Sequence, residues 1–161
     1  MTTTTQEDRL QMRKLEIGAG DSKQDGWKTS DIRSNLMLDY VCPAWEIHYL
    51  EGENYWDNLY ACMVLEHVPK GLQLMSLQSW FQALKPGGVL EVIAPNMKYI
   101  GTLLSEGNEE GIRLVYGDRQ YVEDTHVHGF FLETLVRDLE TTGFTILDTN
   151  ETTQLYVKAT K

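Results

Sequence analysis

The fold class is decided by one nearly unbroken apolar stretch, Asn58-Leu59-Tyr60-Ala61-Cys62-Met63-Val64-Leu65. A strand has this composition when both of its faces are buried, as is usual in a parallel sheet. A second apolar strand is predicted over 89–94, where the chain reads Val-Leu-Glu-Val-Ile-Ala before Pro95. Between the two strands, apolar residues recur at helical spacing, and these are Leu77, Trp80, Phe81 and Leu84. The stretch therefore begins a strand–helix–strand unit.

The flanking sequence extends this alternation. Three short strands are predicted before the apolar stretch, over 15–17, 27–32 and 36–38, and two after it, over 144–147 and 155–160. A helix is expected to begin near Pro69 and to stop at Pro86-Gly87-Gly88. A further helix is predicted from the spacing of Leu132, Leu135, Val136 and Leu139. Strands that alternate with helices predict an α/β fold with a mostly parallel sheet.

Length and charge limit the classes of function. The chain has 161 residues and a formal charge of −10, and 11 acidic against 3 basic residues fall within 105–151. No basic cluster is present that would bind a nucleic-acid backbone or an anionic membrane surface. The first ten residues, MTTTTQEDRL, lack the apolar core of a signal peptide. We therefore expect a disordered tail over 1–12, one domain over 13–161, a cytoplasmic location, and neither a nucleic-acid nor a membrane partner.

A glycine turn follows the first predicted strand, in the sequence Glu16-Ile17-Gly18-Ala19-Gly20. Such a turn lets backbone N–H groups approach a ligand closely. The dinucleotide fingerprint requires a third glycine, but position 23 is lysine, and Asp21 would repel a pyrophosphate. A nicotinamide-dependent oxidoreductase is thus a less favoured alternative.

Several motifs occur together in a fixed order. The glycine turn is followed by Asp31, by Asp39, by the sequence Leu65-Glu66-His67 and by the turn Leu84-Lys85-Pro86-Gly87-Gly88. Over residues 13–148 this combination resembles the class I S-adenosylmethionine-dependent methyltransferases, and it looks most like a short, type 11-like bacterial and phage branch. The resemblance implies a Rossmann-like three-layer sandwich with a mostly parallel seven-stranded sheet and an antiparallel last strand. Only ten residues separate Gly20 from Asp31, so the helices between the early strands are expected to be reduced.

The resemblance also implies a set of residues that bind S-adenosylmethionine. Glu16 would stabilise the ammonium group, Asp31 would accept the ribose hydroxyls, and Asp39 would lie beside adenine, with Tyr40 packed nearby. The complete expected set is Glu16, Gly18, Ala19, Gly20, Asp31, Ile32, Asp39, Tyr40, Leu65 and Glu66. The alternative is that Asp31 and Asp39 only end strands or cap turns.

Two histidines are the candidate catalytic residues. His67 follows the strand end that would face the transferred methyl group, and His126 belongs to the sequence Asp124-x-His126-x-His128. Either imidazole could accept a proton from an acceptor, because its pKa lies near neutrality. The alternatives are a strand cap for His67 and structural histidines at 126 and 128. No metal is expected, because this segment has no evident fourth ligand.

The predicted function is methyl transfer from S-adenosylmethionine to a small-molecule or glycan-type acceptor. The Asn/Asp-Pro-Pro-aromatic signature of base methylation is absent from the sequence. A non-catalytic binding module or partner subunit is the main alternative. The missing helices would also leave Leu15, Ile17 and Leu38 short of cover, which the N-terminal segment with Leu10 and Met12, the loop carrying Trp45 and Ile47, or a second copy of the chain could supply. A homodimer is the expected solution.

Overall fold

The computed structural model describes residues 12–21 and 24–161 and contains one seven-stranded sheet. The strands are β1 (Lys14–Ile17), β2 (Lys28–Asp31), β3 (Tyr40–Val41), β4 (Trp56–Cys62), β5 (Leu84–Pro95), β6 (Thr145–Glu151) and β7 (Gln154–Thr160). The helices are α1 (His48–Glu51), α2 (Gln73–Ala83), α3 (Met97–Ser105), α4 (Glu109–Tyr116) and α5 (Leu132–Thr142). The tail predicted over 1–12 lies outside the described residues, apart from Met12.

The strand order in the sheet is β3-β2-β1-β4-β5-β7-β6. Neighbouring strands from β3 through β5 are parallel, while β7 runs antiparallel to both β5 and β6. This confirms the predicted Rossmann-like, mostly parallel sheet with an antiparallel last strand. The carboxyl ends of β1, β2 and β4 therefore meet at one edge, where ligands bind in open α/β sheets.

The core lies on one face of the sheet. Leu15 pairs in register with Leu59, and Leu59 pairs with Leu90, so apolar side chains line up across three strands. Ile47 and Trp80 belong to the same buried cluster. The residues described between β1 and β2 form no helix. The segment around α1 and the helix α2 bury this face of the sheet instead.

The expected lack of cover over the early strands is wrong for two of its three residues. Leu15 is 0% exposed and Ile17 is 1% exposed, and both belong to one buried cluster with Ile47, against which Trp45 packs. The loop carrying Trp45 and Ile47 is thus part of the cover that was expected from one of three sources. Leu38 is half-buried. The homodimer was expected because Leu15 and Ile17 would form part of an exposed apolar patch. Both are buried within the single chain, so this reason for a dimer no longer applies.

The third strand is displaced from its predicted position. It was expected over 36–38 with Asp39 at its end, but β3 begins at Tyr40. The Asp39 carboxylate accepts hydrogen bonds from the N–H and hydroxyl of Thr29, at 3.0 and 3.1 Å, and from Lys28 Nζ at 2.8 Å. These bonds fix Asp39 at the amino end of β3, so strand pairing starts after this residue.

Two other element boundaries differ from the expectation. Met63 adopts a φ of 53°, which ends β4 before the predicted limit of 65. The helix expected from Pro69 begins at Gln73 and ends at Ala83, and Leu84 already belongs to β5. The predicted stop at 86–88 lies inside that strand, because Gly87 and Gly88 exchange backbone hydrogen bonds with Lys161.

Candidate functional site

A first cavity lies at the carboxyl ends of β1, β2 and β4. Its lining includes Gly18, Asp31, Cys42, Trp45, His67 and Tyr121, and its volume is about 150 Å³. The residues come from the carboxyl ends of the four neighbouring strands β1 to β4, from the segments that follow them and from the later loop that carries Tyr121. Parallel strands bring such chain segments together without any closeness in sequence.

Gly18 lets the chain turn sharply at the floor of this cavity. Its φ is 65°, and an added Cβ would lie 2.6 Å from Val64 Cγ2. The next two residues tie the turn to β2, because Ala19 N–H donates to Ser30 O at 2.9 Å and Gly20 N–H donates to Asp31 Oδ2 at 3.0 Å. Any side chain at position 18 would therefore push on Val64 or displace the turn.

The Asp31 carboxylate is oriented by several donors. Gly20 N–H bonds Oδ2, while Arg33 donates its N–H and Nε to Oδ1 at 3.0 and 3.1 Å and its Nη2 to Oδ2 at 3.2 Å. Burial opposes ionisation, but the bonds from Arg33 and Gly20 outweigh it and lower the pKa of Asp31. The side chain is thus an ionised acceptor of fixed orientation beside the cavity.

Arg33 and Tyr121 are site residues that the sequence did not reveal. Arg33 Cζ lies 4.2 Å from the centroid of the Tyr121 ring, and both side chains line the first cavity. Tyr121 is 90 positions from Asp31 in the sequence. No periodicity or motif in the sequence indicates that Tyr121 lies near Arg33. Arg33 itself could have been found, because an arginine two positions after Asp31 is close enough in sequence to pair with it.

Four of the predicted cofactor residues line this cavity and six do not. Gly18, Gly20, Asp31 and Ile32 are in the lining. Those outside it are Glu16, Ala19, Asp39, Tyr40, Leu65 and Glu66. Of these six, Glu66 lines a second cavity, described below, and Leu65 is 1% exposed within the core.

The early acidic residues have different surroundings. Glu16 is buried, which raises its pKa, and its Oε2 has no hydrogen-bond partner among the described residues. Asp39 is bound to Lys28 and Thr29, away from the cavity. Tyr40 donates its hydroxyl hydrogen to Glu51 Oε1 at 2.6 Å. The shift of β3 instead brings Cys42, the first residue after that strand, into the lining.

A second cavity of about 500 Å³ lies beside the first. Its lining includes Met63, Glu66, His67, Tyr99, Arg113 and His126. Met63 and His67 also line the first cavity, so these two side chains separate the two spaces. Arg113 forms ion pairs with Glu110 and Asp118, which offset its positive charge.

His67 and His126, the two predicted catalytic residues, are brought together by the fold. Their ring centroids lie 4.7 Å apart, and Glu66 Oε1 lies 3.9 Å from His67 Nε2. The main chain holds this arrangement, since the N–H groups of Val127 and His128 both donate to Glu66 O. Burial raises the pKa of Glu66 to about 8 and lowers the pKa of His67, which the neighbouring His126 lowers further.

The other members of the sequence Asp124-x-His126-x-His128 do not join this cluster. His128 is exposed and its ring packs on Phe130, with centroids 4.6 Å apart. Asp124 Oδ2 accepts the N–H of Gln120. The rings of His126 and His128 therefore pack against different neighbours, His67 and Phe130 respectively.

Comparisons with known proteins identify the fold but no family. No family model matches the chain, and no curated protein matches it. Solved structures do match, and among them is an S-adenosylmethionine-dependent methyltransferase from Methanosarcina mazei, with a TM-score of 0.68, 18% identity and 92% of each chain covered.

Two further solved structures agree with this assignment. One is an S-adenosylmethionine-dependent methyltransferase from Mesorhizobium loti, with a TM-score of 0.67, 15% identity and 93% and 91% of the two chains covered. The other is 1,6-didemethyltoxoflavin-N1-methyltransferase from Burkholderia thailandensis, solved with 1,6-didemethyltoxoflavin and S-adenosylhomocysteine. It has a TM-score of 0.60 and 16% identity, over 95% of this chain and 73% of that one. The chain therefore has the fold of S-adenosylmethionine-dependent methyltransferases.

Proposed function

We propose that this protein is a methyltransferase that transfers the methyl group of S-adenosylmethionine to a small-molecule or glycan-type acceptor. The observation that carries the proposal is the pair of adjoining cavities separated by Met63 and His67. A two-substrate transfer requires two sites that meet at the reacting atoms. In this proposal the first cavity binds the cofactor and the second binds the acceptor.

The residues around the first cavity suit this cofactor. A glycine turn that tolerates no side chain leaves backbone close to the ligand. The ionised Asp31 can accept hydrogen bonds from a diol, as a carboxylate has two acceptor oxygens. Glu16 does not line the first cavity, so its expected role at the ammonium group stays a prediction. Bound S-adenosylmethionine supplies an electrophilic methyl group, so the protein has mainly to bind and align.

His67 and His126 are the residues proposed to handle the proton of the acceptor. The lowered pKa of His67 keeps its ring neutral near neutral pH, so that a nitrogen lone pair is free. Its Nδ1 lies 3.3 Å from the carbonyl oxygen of Thr125, which places the ring hydrogen on Nδ1 and leaves Nε2 as the acceptor. Because His67 lines both cavities, it is within reach of either ligand.

Transfer of a labelled methyl group from S-adenosylmethionine to the small molecules and glycans of a cell extract tests the proposal. We expect labelled product with the wild type and a loss of at least about 100-fold in the rate with His67→Ala. His128→Ala is the matched control, since His128 is exposed and outside both cavities. A wild type that binds cofactor but labels nothing would favour the alternative of a non-catalytic binding module.

The remaining assignments are also part of this proposal. The acidic surface favours acceptors other than nucleic acid, consistent with the charge of −10. None of the helices in the described part of the chain has the length and apolarity to cross a membrane. A cytoplasmic location and a second copy of the chain as partner remain predictions.

A further inference from the structure

The carboxylate of Glu66 is a buried charge-bearing group without a partner. Glu66 is 0% exposed, and within the described part of the chain neither Oε1 nor Oε2 has a hydrogen-bond partner. An ionised carboxylate buried here without a partner would be strongly destabilising, and proteins usually keep such groups neutral, pair them or use them to coordinate metals. The unpaired oxygens border the second cavity, where the rings of two histidines lie close by.

Both histidines are held with one nitrogen free. His67 Nδ1 lies 3.3 Å from Thr125 O, and His126 Nδ1 lies 2.8 Å from Leu114 O. A carbonyl oxygen only accepts, so each Nδ1 donates its hydrogen and each Nε2 keeps a lone pair. Metal-binding histidines characteristically donate their other N–H to a backbone carbonyl in this way.

We propose that Glu66, His67 and His126 bind one divalent transition-metal ion such as Zn²⁺. One ligand atom from each of the three residues lies within 4.8 Å of the others. Two imidazoles and one carboxylate, with a remaining position open, form a donor set that zinc uses in catalytic sites. The open position would face the second cavity, since all three residues line it.

The spacing allows the ion to bind after a small adjustment. Ligand atoms about 2.0–2.1 Å from a tetrahedral zinc lie about 3.3 Å from one another. The Glu66 Oε1 and His67 Nε2 atoms are 3.9 Å apart, so side-chain shifts of about 1 Å would complete the site. The nearest basic side chain in the cavity, Arg113, is paired with Glu110 and Asp118 and opposes the ion only weakly.

This proposal replaces the expectation of a metal-free site. That expectation considered only ligands close in sequence, namely Asp124, His126 and His128. The structure separates His128 from His126 and brings in Glu66 and His67, about 60 positions away. With the ion bound, the Nε2 atoms of His67 and His126 are occupied as its ligands, so the proton role proposed above for the two histidines belongs to the metal-free site. The ion would supply a Lewis acid next to the acceptor cavity.

Metal binding can be measured without cofactor or methyl transfer. Tag-free protein is stripped with a chelator, dialysed and titrated with Zn²⁺ by calorimetry, and with Co²⁺ by visible absorption. We expect one ion per chain and the absorption bands of tetrahedral Co²⁺. Mg²⁺, which imidazole binds poorly, is expected to give no comparable binding.

Three variants assign the ligands. His126→Ala and the isosteric Glu66→Gln should each weaken Zn²⁺ binding by at least about 100-fold, because even an outer partner of a ligand contributes about 10–100-fold. His128→Ala should bind as the wild type does. His126 is only half-buried, so we expect His126→Ala to fold. It therefore still tests the metal site if Glu66→Gln does not fold.

Two outcomes would overturn the metal site. One is that the wild type binds neither Zn²⁺ nor Co²⁺ at about one ion per chain. The other is that His126→Ala binds Zn²⁺ as tightly as the wild type does. Either result leaves the proposed function in place if S-adenosylhomocysteine still binds, so the two proposals fail separately.

Discussion

Arg33 donates hydrogen bonds to both carboxylate oxygens of Asp31, from Nε to Oδ1 at 3.1 Å and from Nη2 to Oδ2 at 3.2 Å. The acceptor atoms proposed for the ribose hydroxyls are therefore already engaged. The arginine is held in this position by the Tyr121 ring, 4.2 Å from its Cζ. Cofactor binding has to displace at least part of this pairing.

The first prediction concerns this competition. Arg33→Ala should bind S-adenosylhomocysteine more tightly than the wild type, by about 10–100-fold, because the ligand no longer displaces a charge-assisted bond of about 1.5–3 kcal/mol. Calorimetric titration of both proteins at the same pH measures the ratio. Weaker binding by Arg33→Ala would mean that the arginine contacts the cofactor itself.

The second prediction concerns acid stability. The folded-state pKa of Asp31 is lowered, so the ionised carboxylate contributes stability above the unfolded value of about 3.9. That contribution is lost as the pH falls through the lower folded value. The free energy of unfolding of the wild type should therefore fall below about pH 4 more steeply than that of Asp31→Asn.

Urea unfolding at several pH values between about 2 and 6 checks this difference. Asp148→Asn, at an exposed position in β6, is the matched control and should follow the wild-type curve. Parallel curves for the wild type and Asp31→Asn would show that Arg33 and Gly20 do not stabilise the ionised carboxylate.

The third prediction concerns the glycine turn. Gly18→Ala should lower the free energy of unfolding by about 2–4 kcal/mol, because alanine is strained at a positive φ and its Cβ would overlap Val64. Gly26→Ala is the control, as Gly26 also has a positive φ but open space around its Cβ. Its cost should be only about 1–2 kcal/mol.

A double variant separates the two causes. Gly18→Ala combined with Val64→Ala should be less destabilised than the separate losses together predict, since the truncation removes the overlap. Strict additivity of the two losses would contradict the contact between Gly18 and Val64.

The sequence predicted the sheet well because the signals for its strands are local. The apolar stretch that became β4, and the glycine turn after β1, depend on neighbours within a few residues. The third strand was misplaced because its start depends on Asp39 bonding Thr29, a contact between two strands. The end of this strand moved by three residues, which placed Cys42 instead of Asp39 in the lining of the first cavity.

The candidate site was predicted only in part for the same reason. Gly18 follows β1, Asp31 is the last residue of β2 and His67 lies shortly after β4, so the topology alone places them near one another. Tyr121 and His126 reach the two cavities from a loop far along the chain. Sequence patterns carry no information on how such a loop packs, so the contacts of Arg33 with Tyr121 and of His67 with His126 required the structure.

We propose that the first cavity binds S-adenosylmethionine through Asp31. Calorimetric titration with S-adenosylhomocysteine measures this binding, with NAD as the competing ligand and Asp57→Asn as the control variant. Asp57 has comparable hydrogen bonds from Arg13 N–H and Lys85 but lies at the start of β4, away from the cavity. We predict one site per chain in the wild type and in Asp57→Asn, and binding about 10–100-fold weaker in Asp31→Ala, which corresponds to a loss of about 1.5–3 kcal/mol. Binding of NAD in place of S-adenosylhomocysteine, or equal affinity of S-adenosylhomocysteine for the wild type and folded Asp31→Ala, would show that Asp31 does not hold this cofactor in the first cavity.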